Sequence, residues 1–244
     1  MAAEGPRVLV TGGAVRVGAA ICRAFAARGA DVVVHCRHSL VAAGALAREL
    51  GGRVVQGDLA TVAGVQAVAD AAGAIDVVVH SAAAYEAVPF DALTPDAWDA
   101  MQALNVRAPA LLTQALLPGL RASRLAGGGC VLNLGDIAGD RPAPGYAHYC
   151  VSKAALHHLT RALALELAPA VRVNCLAPGT VLPPDDLGPD ALARLRDTIP
   201  AGRFGSADDI ARAAVFLALD APYVTGQIWA VDGGRSVGGP MEAG

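Results

Sequence analysis

The chain has 244 residues, a hydrophobic fraction of 54% and a formal net charge of −3, which predicts one large α/β domain with a substantial core. No apolar run reaches the roughly 18 residues of a membrane span, and the N-terminal segment does not resemble a secretion signal, so we expect no membrane partner. The near-neutral charge without a basic block disfavours a nucleic-acid partner, and five cysteines without a CxxC pair indicate reduced thiols in a cytoplasmic protein.

Short apolar runs alternate with helical patterns along the whole chain. Strands are predicted at 7–10, 32–36, 53–56, 77–80, 130–134, 172–177 and 227–231. Helices are predicted at about 18–28, 40–50, 62–72, 95–120, 146–167 and 207–219. This alternation predicts a single Rossmann-type domain over residues 1–244, in which helices cover both faces of a doubly wound parallel sheet of about seven strands.

A Pro/Gly-rich interruption at 178–189 follows the sixth predicted strand. It falls at the carboxyl edge of the sheet, where open α/β sheets bind their ligands. We therefore expect a substrate loop at about 180–205, with Asp185 and Asp186 as solvated turn residues within it.

A glycine-rich loop at 11–18 lies between the first strand and the first helix. Glycines there let the backbone approach a pyrophosphate, and the helix N-terminus supplies amide donors. The second strand ends without the acid typical of NAD enzymes, and Arg37, helped by Ser39 and by His35 or His38, favours the 2′-phosphate of NADPH over a merely basic solvated loop. Asp58 is placed either to accept a hydrogen bond from the adenine or to cap the next helix.

Tyr149 and Lys153 lie four residues apart in a predicted helix, so their side chains share a face. A phenol donates a proton well when its pKa is lowered, and a nearby ammonium favours the phenolate. Lys153 is the only lysine among 19 cationic Lys and Arg residues, which marks a position where a compact cation is needed. Asn105 could anchor a water that connects this lysine to solvent.

These motifs together resemble the short-chain dehydrogenase/reductase family over nearly the whole chain, including Pro178-Gly179 and the segment 223–234. The resemblance implies hydride transfer with NADPH, catalysis by Tyr149 and Lys153 with Asn105, and a homodimer or homotetramer, and we expect Asp136 to join these catalytic residues through its own chemistry. The helix that carries His157 and His158 is the one that packs against a sister subunit in that family, and no ligand set completes a metal site there. The expected cofactor contacts are Gly12, Arg16, Val17, Gly18, His35, Arg37, Ser39, Asp58, Leu59, Ser81, Ala82, Tyr149, Lys153, Pro178 and Gly179.

Three positions depart from the usual family pattern. Asp136 stands thirteen residues before Tyr149, where most members place a serine that holds a substrate carbonyl. Arg16 replaces the middle glycine of the cofactor loop, and Tyr85 follows the fourth strand, where it could stack on a flat ring. A carboxylate accepts hydrogen bonds from an amino-heterocycle but not from a carbonyl oxygen.

The three departures together are similar to the pteridine reductases, which reduce pterins such as dihydrobiopterin or dihydrofolate. On this reading Arg16, Tyr85, Asp136 and Tyr149 bind the substrate, and Asp136 holds the polar edge of the ring or supplies a proton. The alternatives are a carbonyl reductase for a 3-oxoacyl thioester or another ketone, and a regulator that binds NADP without catalysis.

Overall fold

A computed structural model describes residues 5–183 and 187–238 of the chain. Seven parallel strands form one sheet in the order β3-β2-β1-β4-β5-β6-β7. The strands are β1 Arg7–Thr11, β2 Asp31–Cys36, β3 Arg53–Gln56, β4 Val77–His80, β5 Gly129–Leu134, β6 Val171–Pro178 and β7 Ile228–Val231. The predicted doubly wound, Rossmann-type sheet of seven strands is therefore confirmed.

The helices in chain order are α1 Arg16–Ala26, α2 Leu40–Leu50, α3 Val62–Ala72, α4 Pro95–Gln102, α5 Ala108–Ala122, α6 Ala147–Leu167, α7 Pro189–Asp197 and α8 Ala207–Val215. Because successive side chains of a strand point to opposite faces, β1 contributes Val8 and Val10 to one buried cluster and Leu9 to the other. The first cluster packs beneath α1, α2 and α8, and the second beneath α3, α5 and α6.

Two stretches differ from the sequence prediction. The helix predicted at 95–120 is interrupted by a π-helical turn at Ala103–Arg107, which separates α4 from α5. The loop expected at 180–205 contains the helix α7, whereas Asp185 and Asp186 lie outside the described residues. Among the described helices, none is both long enough and apolar enough to cross a membrane.

Candidate active site

The site begins where the strand order reverses, between β1 and β4. Thr11, at the end of β1, is buried, and its Oγ1 accepts hydrogen bonds from the backbone amides of Ser81 at 2.9 Å and Ala82 at 3.0 Å. The same hydroxyl donates to the carbonyl of Val79 at 3.3 Å. Thr11 thus joins the loops that follow β1 and β4, and they form the crevice in which doubly wound sheets bind nucleotides.

Two glycines of the cofactor loop are required by close backbone approaches. Gly12 has a φ of +62°, and a Cβ atom on it would lie 3.0 Å from the Cα of Ala82. A Cβ on Gly18 would lie 2.2 Å from the carbonyl oxygen of Gly12. The backbone of the loop therefore packs closely against its neighbours. Helix α1 begins directly after it, and no side chain caps the N-terminal amides of this helix. Such amides are suited to bind a pyrophosphate.

Arg16 occupies the position of the usual middle glycine in a left-handed conformation, with a φ of +53°. It is the one non-glycine residue with positive φ among those that the structure describes. A side chain in this region costs about 1–2 kcal/mol relative to glycine. Such strain is retained at functional sites when the side chain is needed there.

Two adjoining clefts open at this edge of the sheet and share Arg16, Val17 and Ala83. The first has a volume of about 440 Å³, and its other lining residues are Gly12, Val15, Gly18, His35, Arg37, Asp58, Leu59, Ser81, Ala82 and Leu104. The second has a volume of about 1110 Å³, and the predicted substrate residues Tyr85, Asp136 and Tyr149 line it together with Gly179. Neither lining includes Ser39, Asn105, Lys153 or Pro178.

His35 supports the cofactor loop through hydrogen bonds to backbone groups, and its expected contact with a phosphate remains a prediction. Its ring is buried; Nδ1 accepts the amide hydrogen of Gly12 at 3.1 Å, and Nε2 donates to the carbonyl of Gly57 at 3.1 Å. Burial lowers the pKa of His35. Because backbone groups engage both ring nitrogens, His35 positions Gly12 in the loop.

Arg37 lies at the mouth of the smaller cleft and forms an ion pair with Asp58, with Nε 3.2 Å from Oδ2. The other carboxylate oxygen of Asp58 accepts the amide hydrogen of Ala60 at 3.0 Å. Thr61 caps α3 by accepting the amide hydrogen of Gly64. The alternative in which Asp58 caps this helix is therefore wrong.

Tyr149 and Asp136 meet directly. The Tyr149 hydroxyl donates to Oδ2 of Asp136 at 2.8 Å, and Oδ1 of the same carboxylate accepts the amide hydrogen of Ala138 at 2.7 Å. The turn that carries Asp136 packs on the buried ring of His157, and a Cβ on Gly135 or Gly139 would lie within 2.7 Å of that ring. His157 therefore packs against this turn inside the chain.

Lys153 is buried below the phenol. Its ammonium donates to the carbonyl oxygen of Leu134 at 2.8 Å and lies 5.6 Å from the centroid of the Tyr149 ring. Burial lowers the pKa of Lys153, and the charge of Asp136 opposes this effect. The lysine is thus held next to the phenol by the end of β5.

The expected lowering of the Tyr149 pKa is not found. Burial is the largest effect on the phenol and raises its pKa, and the negative charge and hydrogen bond of Asp136 raise it further. The cation of Lys153 by itself would lower this pKa, whereas a carboxylate in direct contact with the hydroxyl has the opposite influence. Tyr149 therefore keeps its proton and acts as a donor in this arrangement.

Asn105 lies on the π-helical turn, and its side chain forms hydrogen bonds to groups of two other segments. Its Oδ1 accepts the amide hydrogen of Ala84 at 2.8 Å, and its Nδ2 donates to the carbonyl of Ala84 and to Oγ of Ser152, each at 3.0 Å. Ser152 in turn donates to the carbonyl of Tyr149 at 2.7 Å. Asn105 thus connects the loop after β4 to the helix of Tyr149, and its proposed link through a water remains a prediction.

Three tyrosines form one wall of the larger cleft. The ring of Tyr85 stacks on Tyr146 at a centroid distance of 4.9 Å and meets the edge of Tyr149 at 4.8 Å. Tyr146 was not predicted from the sequence, although its position three residues before Tyr149 places it one helical turn away. Arg141 and Arg235 also line this cleft and were missed, because loops distant in sequence bring them there.

Comparison with known proteins agrees with this geometry. A family model described as Enoyl-(Acyl carrier protein) reductase matches residues 13–236. A putative ketoacyl reductase 2 of the granaticin polyketide synthase from Streptomyces violaceoruber is 36% identical, over 96% of this chain and 97% of that protein.

Solved structures show the same fold with a nucleotide bound. A blue fluorescent protein from a metagenomic library, in complex with NADPH, is 35% identical and superposes with a TM-score of 0.86 over 95% of this chain and 98% of the other. A gluconate 5-dehydrogenase from Burkholderia cenocepacia, in complex with NADP and tartrate, is 30% identical with a TM-score of 0.87 and covers 96% of each chain. The prediction of an NADP-type cofactor agrees with both neighbours.

Proposed function

The chain belongs to the short-chain dehydrogenase/reductase family, and on that premise we propose that it is an NADPH-dependent reductase of a pterin. The observation that carries this proposal is the hydrogen bond of 2.8 Å between the Tyr149 hydroxyl and the Asp136 carboxylate. A carboxylate at this point of the cleft is suited to a ring that offers N–H groups and unsuited to a carbonyl oxygen.

The smaller cleft fits a phosphorylated dinucleotide. Gly12 and Gly18 let the cofactor loop pack closely on the neighbouring backbone, and the amides at the start of α1, which no side chain caps, are suited to bind the pyrophosphate. Arg37 at the cleft mouth can pair with a 2′-phosphate. NADPH, when bound, supplies the hydride. Asp58 already neutralises part of the Arg37 charge, so a 2′-phosphate would compete with this carboxylate for the guanidinium.

The reduction of a C=N bond needs a hydride on carbon and a proton on nitrogen. Tyr149 retains its proton because burial and Asp136 raise the pKa of its phenol, so it is available as an acid. Loss of this proton leaves a phenolate, which the buried ammonium of Lys153 stabilises and the charge of Asp136 opposes. A substrate that donates N–H hydrogen bonds to Asp136 reduces this opposition, whereas a ketone leaves it intact.

Tyr85 supplies the flat surface that such a substrate needs. Its side chain is 64% exposed at the edge of the cleft although its ring is stacked on Tyr146. A planar heterocycle can take a similar offset-stacked position against these rings. Arg16, which lines both clefts, is placed to contact cofactor and substrate together.

The second candidate is a reductase of ketones. It is favoured by the similarity to a putative ketoacyl reductase over nearly the full length of both proteins. On this reading Asp136 would be unfavourable for the substrate carbonyl, and its replacement by serine would raise ketone reduction.

The deciding experiment measures NADPH oxidation with dihydrobiopterin, dihydrofolate and a 3-oxoacyl thioester. We expect the unchanged protein to reduce the pterins and Tyr149→Phe to lose at least about 100-fold in kcat. In Asp136→Ser, activity with pterins should fall relative to activity with the 3-oxoacyl thioester. Arg48→Met, on the exposed side of α2, is the matched control and should retain full activity. Ketone reduction without pterin turnover would favour the second candidate.

A further inference from the structure

Among the residues that the structure describes, the lining of the larger cleft carries more positive than negative side chains. Arg16, Arg141 and Arg235 line it, whereas Asp136 is the one acidic residue among its described lining residues. Within residues 5–183 and 187–238, none of these three guanidinium groups forms an ion pair with a carboxylate. Cations facing a largely apolar cleft are suited to an anionic ligand.

Arg141 and Arg235 come from separate loops, and a hydrogen bond from the Arg141 side chain to the Arg235 backbone joins these loops. Arg235 follows β7, and its Nη1 donates to Oγ1 of Thr180 at 2.6 Å. Arg141 follows the turn that carries Asp136, and its Nη1 donates to the carbonyl oxygen of Arg235 at 2.5 Å. Each guanidinium has five N–H donors, so this anchoring leaves donors available on both.

The cleft has room beyond the ring that is to be reduced. Its volume of about 1110 Å³ exceeds the range of roughly 300–1,000 Å³ that is typical of small-molecule pockets. The three tyrosines and Asp136 line one part of it, and Val181 and Leu182 of the loop after β6 line another together with Leu195 of α7.

We propose that Arg141 and Arg235 form an anion subsite that binds a carboxylate or phosphate on the tail of the substrate. The substrate class is then a flat heterocycle with an acidic tail, of which a glutamyl conjugate such as dihydrofolate is one form. The identity of the ring rests on the proposed function, whereas the affinity for the anionic tail does not. Arginine is the residue best suited to bind both oxyanions through paired hydrogen bonds.

The first test measures binding to the NADPH-loaded protein by calorimetry, without turnover. The probes are N-(4-aminobenzoyl)glutamate, its uncharged diamide and phenyl phosphate, and the variants are Arg141→Met, Arg235→Met and the control Arg48→Met. We expect the acidic probes to bind more tightly than the diamide and to weaken about tenfold or more in either cleft variant, but not in the control. Equal binding of the glutamate and the diamide, or binding unchanged by the variants, would overturn the subsite.

The second test compares KM for dihydrofolate and dihydrobiopterin. In Arg141→Met and Arg235→Met, the ratio of KM for dihydrofolate to KM for dihydrobiopterin should rise about tenfold. An unchanged ratio with active enzyme contradicts the subsite and leaves the pterin function standing. Arginine-dependent binding of the acidic probes without turnover of either pterin supports the subsite and contradicts the pterin function. Preference between the glutamate and phenyl phosphate distinguishes a carboxylate tail from a phosphate tail.

Discussion

Arg16 combines a strained backbone with a side chain that faces both clefts, and these two properties can be separated. Its φ of +53° favours glycine, so Arg16→Gly relieves the strain that Arg16→Ala retains. We expect the glycine variant to exceed the alanine variant by about 1 kcal/mol in the free energy of unfolding, measured by urea denaturation. Both variants should bind NADPH more weakly than the unchanged protein. Equal stability of the two variants would contradict the left-handed conformation.

His80 contributes to the pH dependence of folding stability, and substitution of this residue removes its contribution. Burial lowers the pKa of His80 to about 3, whereas an unfolded histidine titrates near 6.5. Between these values the unfolded chain binds one more proton than the folded chain at this residue, so stability declines as the pH falls below about 6.5.

From pH 7.5 to 5.0 the unchanged protein should therefore lose about 2 kcal/mol more than His80→Asn. Urea denaturation of both proteins at several pH values measures this difference. If the free energy of unfolding depends on pH equally in the two proteins, His80 is not held neutral in the core.

Spacing predicted which of the proposed catalytic residues lie close together, but not how they affect the pKa values of one another. The helical interval of four placed Lys153 near Tyr149, and the interval of thirteen marked Asp136 as their neighbour. The direction of the Tyr149 pKa could not be predicted, because it depends on burial and on a contact with a residue of another element. The positioning role of His35 was not predicted for the same reason, since its two ring nitrogens contact backbone groups of separate loops.

At the level of elements, Arg172 in β6 stabilises the π-helical turn Phe216–Asp220, which follows α8 directly. The side chain is buried, and its guanidinium donates to the carbonyl oxygens of Leu217, Ala218 and Ala221, at 2.7, 2.8 and 3.1 Å. A cation at a helix C-terminus also interacts favourably with the helix dipole.

Arg172→Met should lower the free energy of unfolding by about 3 kcal/mol, because the buried carbonyl oxygens lose charged donors. Chemical denaturation measures the loss, and the exposed Arg48→Met serves as the control, with a change within about 0.5 kcal/mol. A loss for Arg172→Met as small as that of the control would show that water replaces the guanidinium.

The strands were predicted to within about one residue because continuous Val-rich runs are typical of a sheet that is covered on both faces. The break between α4 and α5 was not predicted, since the helical pattern of apolar residues continues across it. The π-helical turn at Ala103–Arg107 directs Asn105 toward Ala84 and Ser152, and such turns are often found at functional sites. Its presence therefore depends on tertiary contacts that local sequence does not encode.

For the whole molecule, the order of the strands brings the loops after β1, β2, β3 and β4 to one edge, where they surround the smaller cleft. A nucleotide in this cleft would connect four separate loops. A ligand that binds only the folded chain stabilises it and raises its Tm. The preference between NADPH and NADH can therefore be measured as the difference between the rises in Tm that they cause. At a hundred times its Kd, NADPH would add about 2.7 kcal/mol, or roughly 5–10 °C for a chain of this size.

Arg37 is the residue that should decide between the two nicotinamide cofactors. We expect NADPH to raise the Tm of the unchanged protein more than the same concentration of NADH, because only NADPH offers a 2′-phosphate to this guanidinium. In Arg37→Met the two shifts should become similar, mainly through a smaller shift with NADPH, while Arg48→Met keeps the original difference. Equal shifts by both cofactors in the unchanged protein would contradict the preference for NADPH. If Arg37→Met keeps the original difference between the two shifts, another cation of the cleft binds the phosphate, and Arg16 is the other arginine in the described lining.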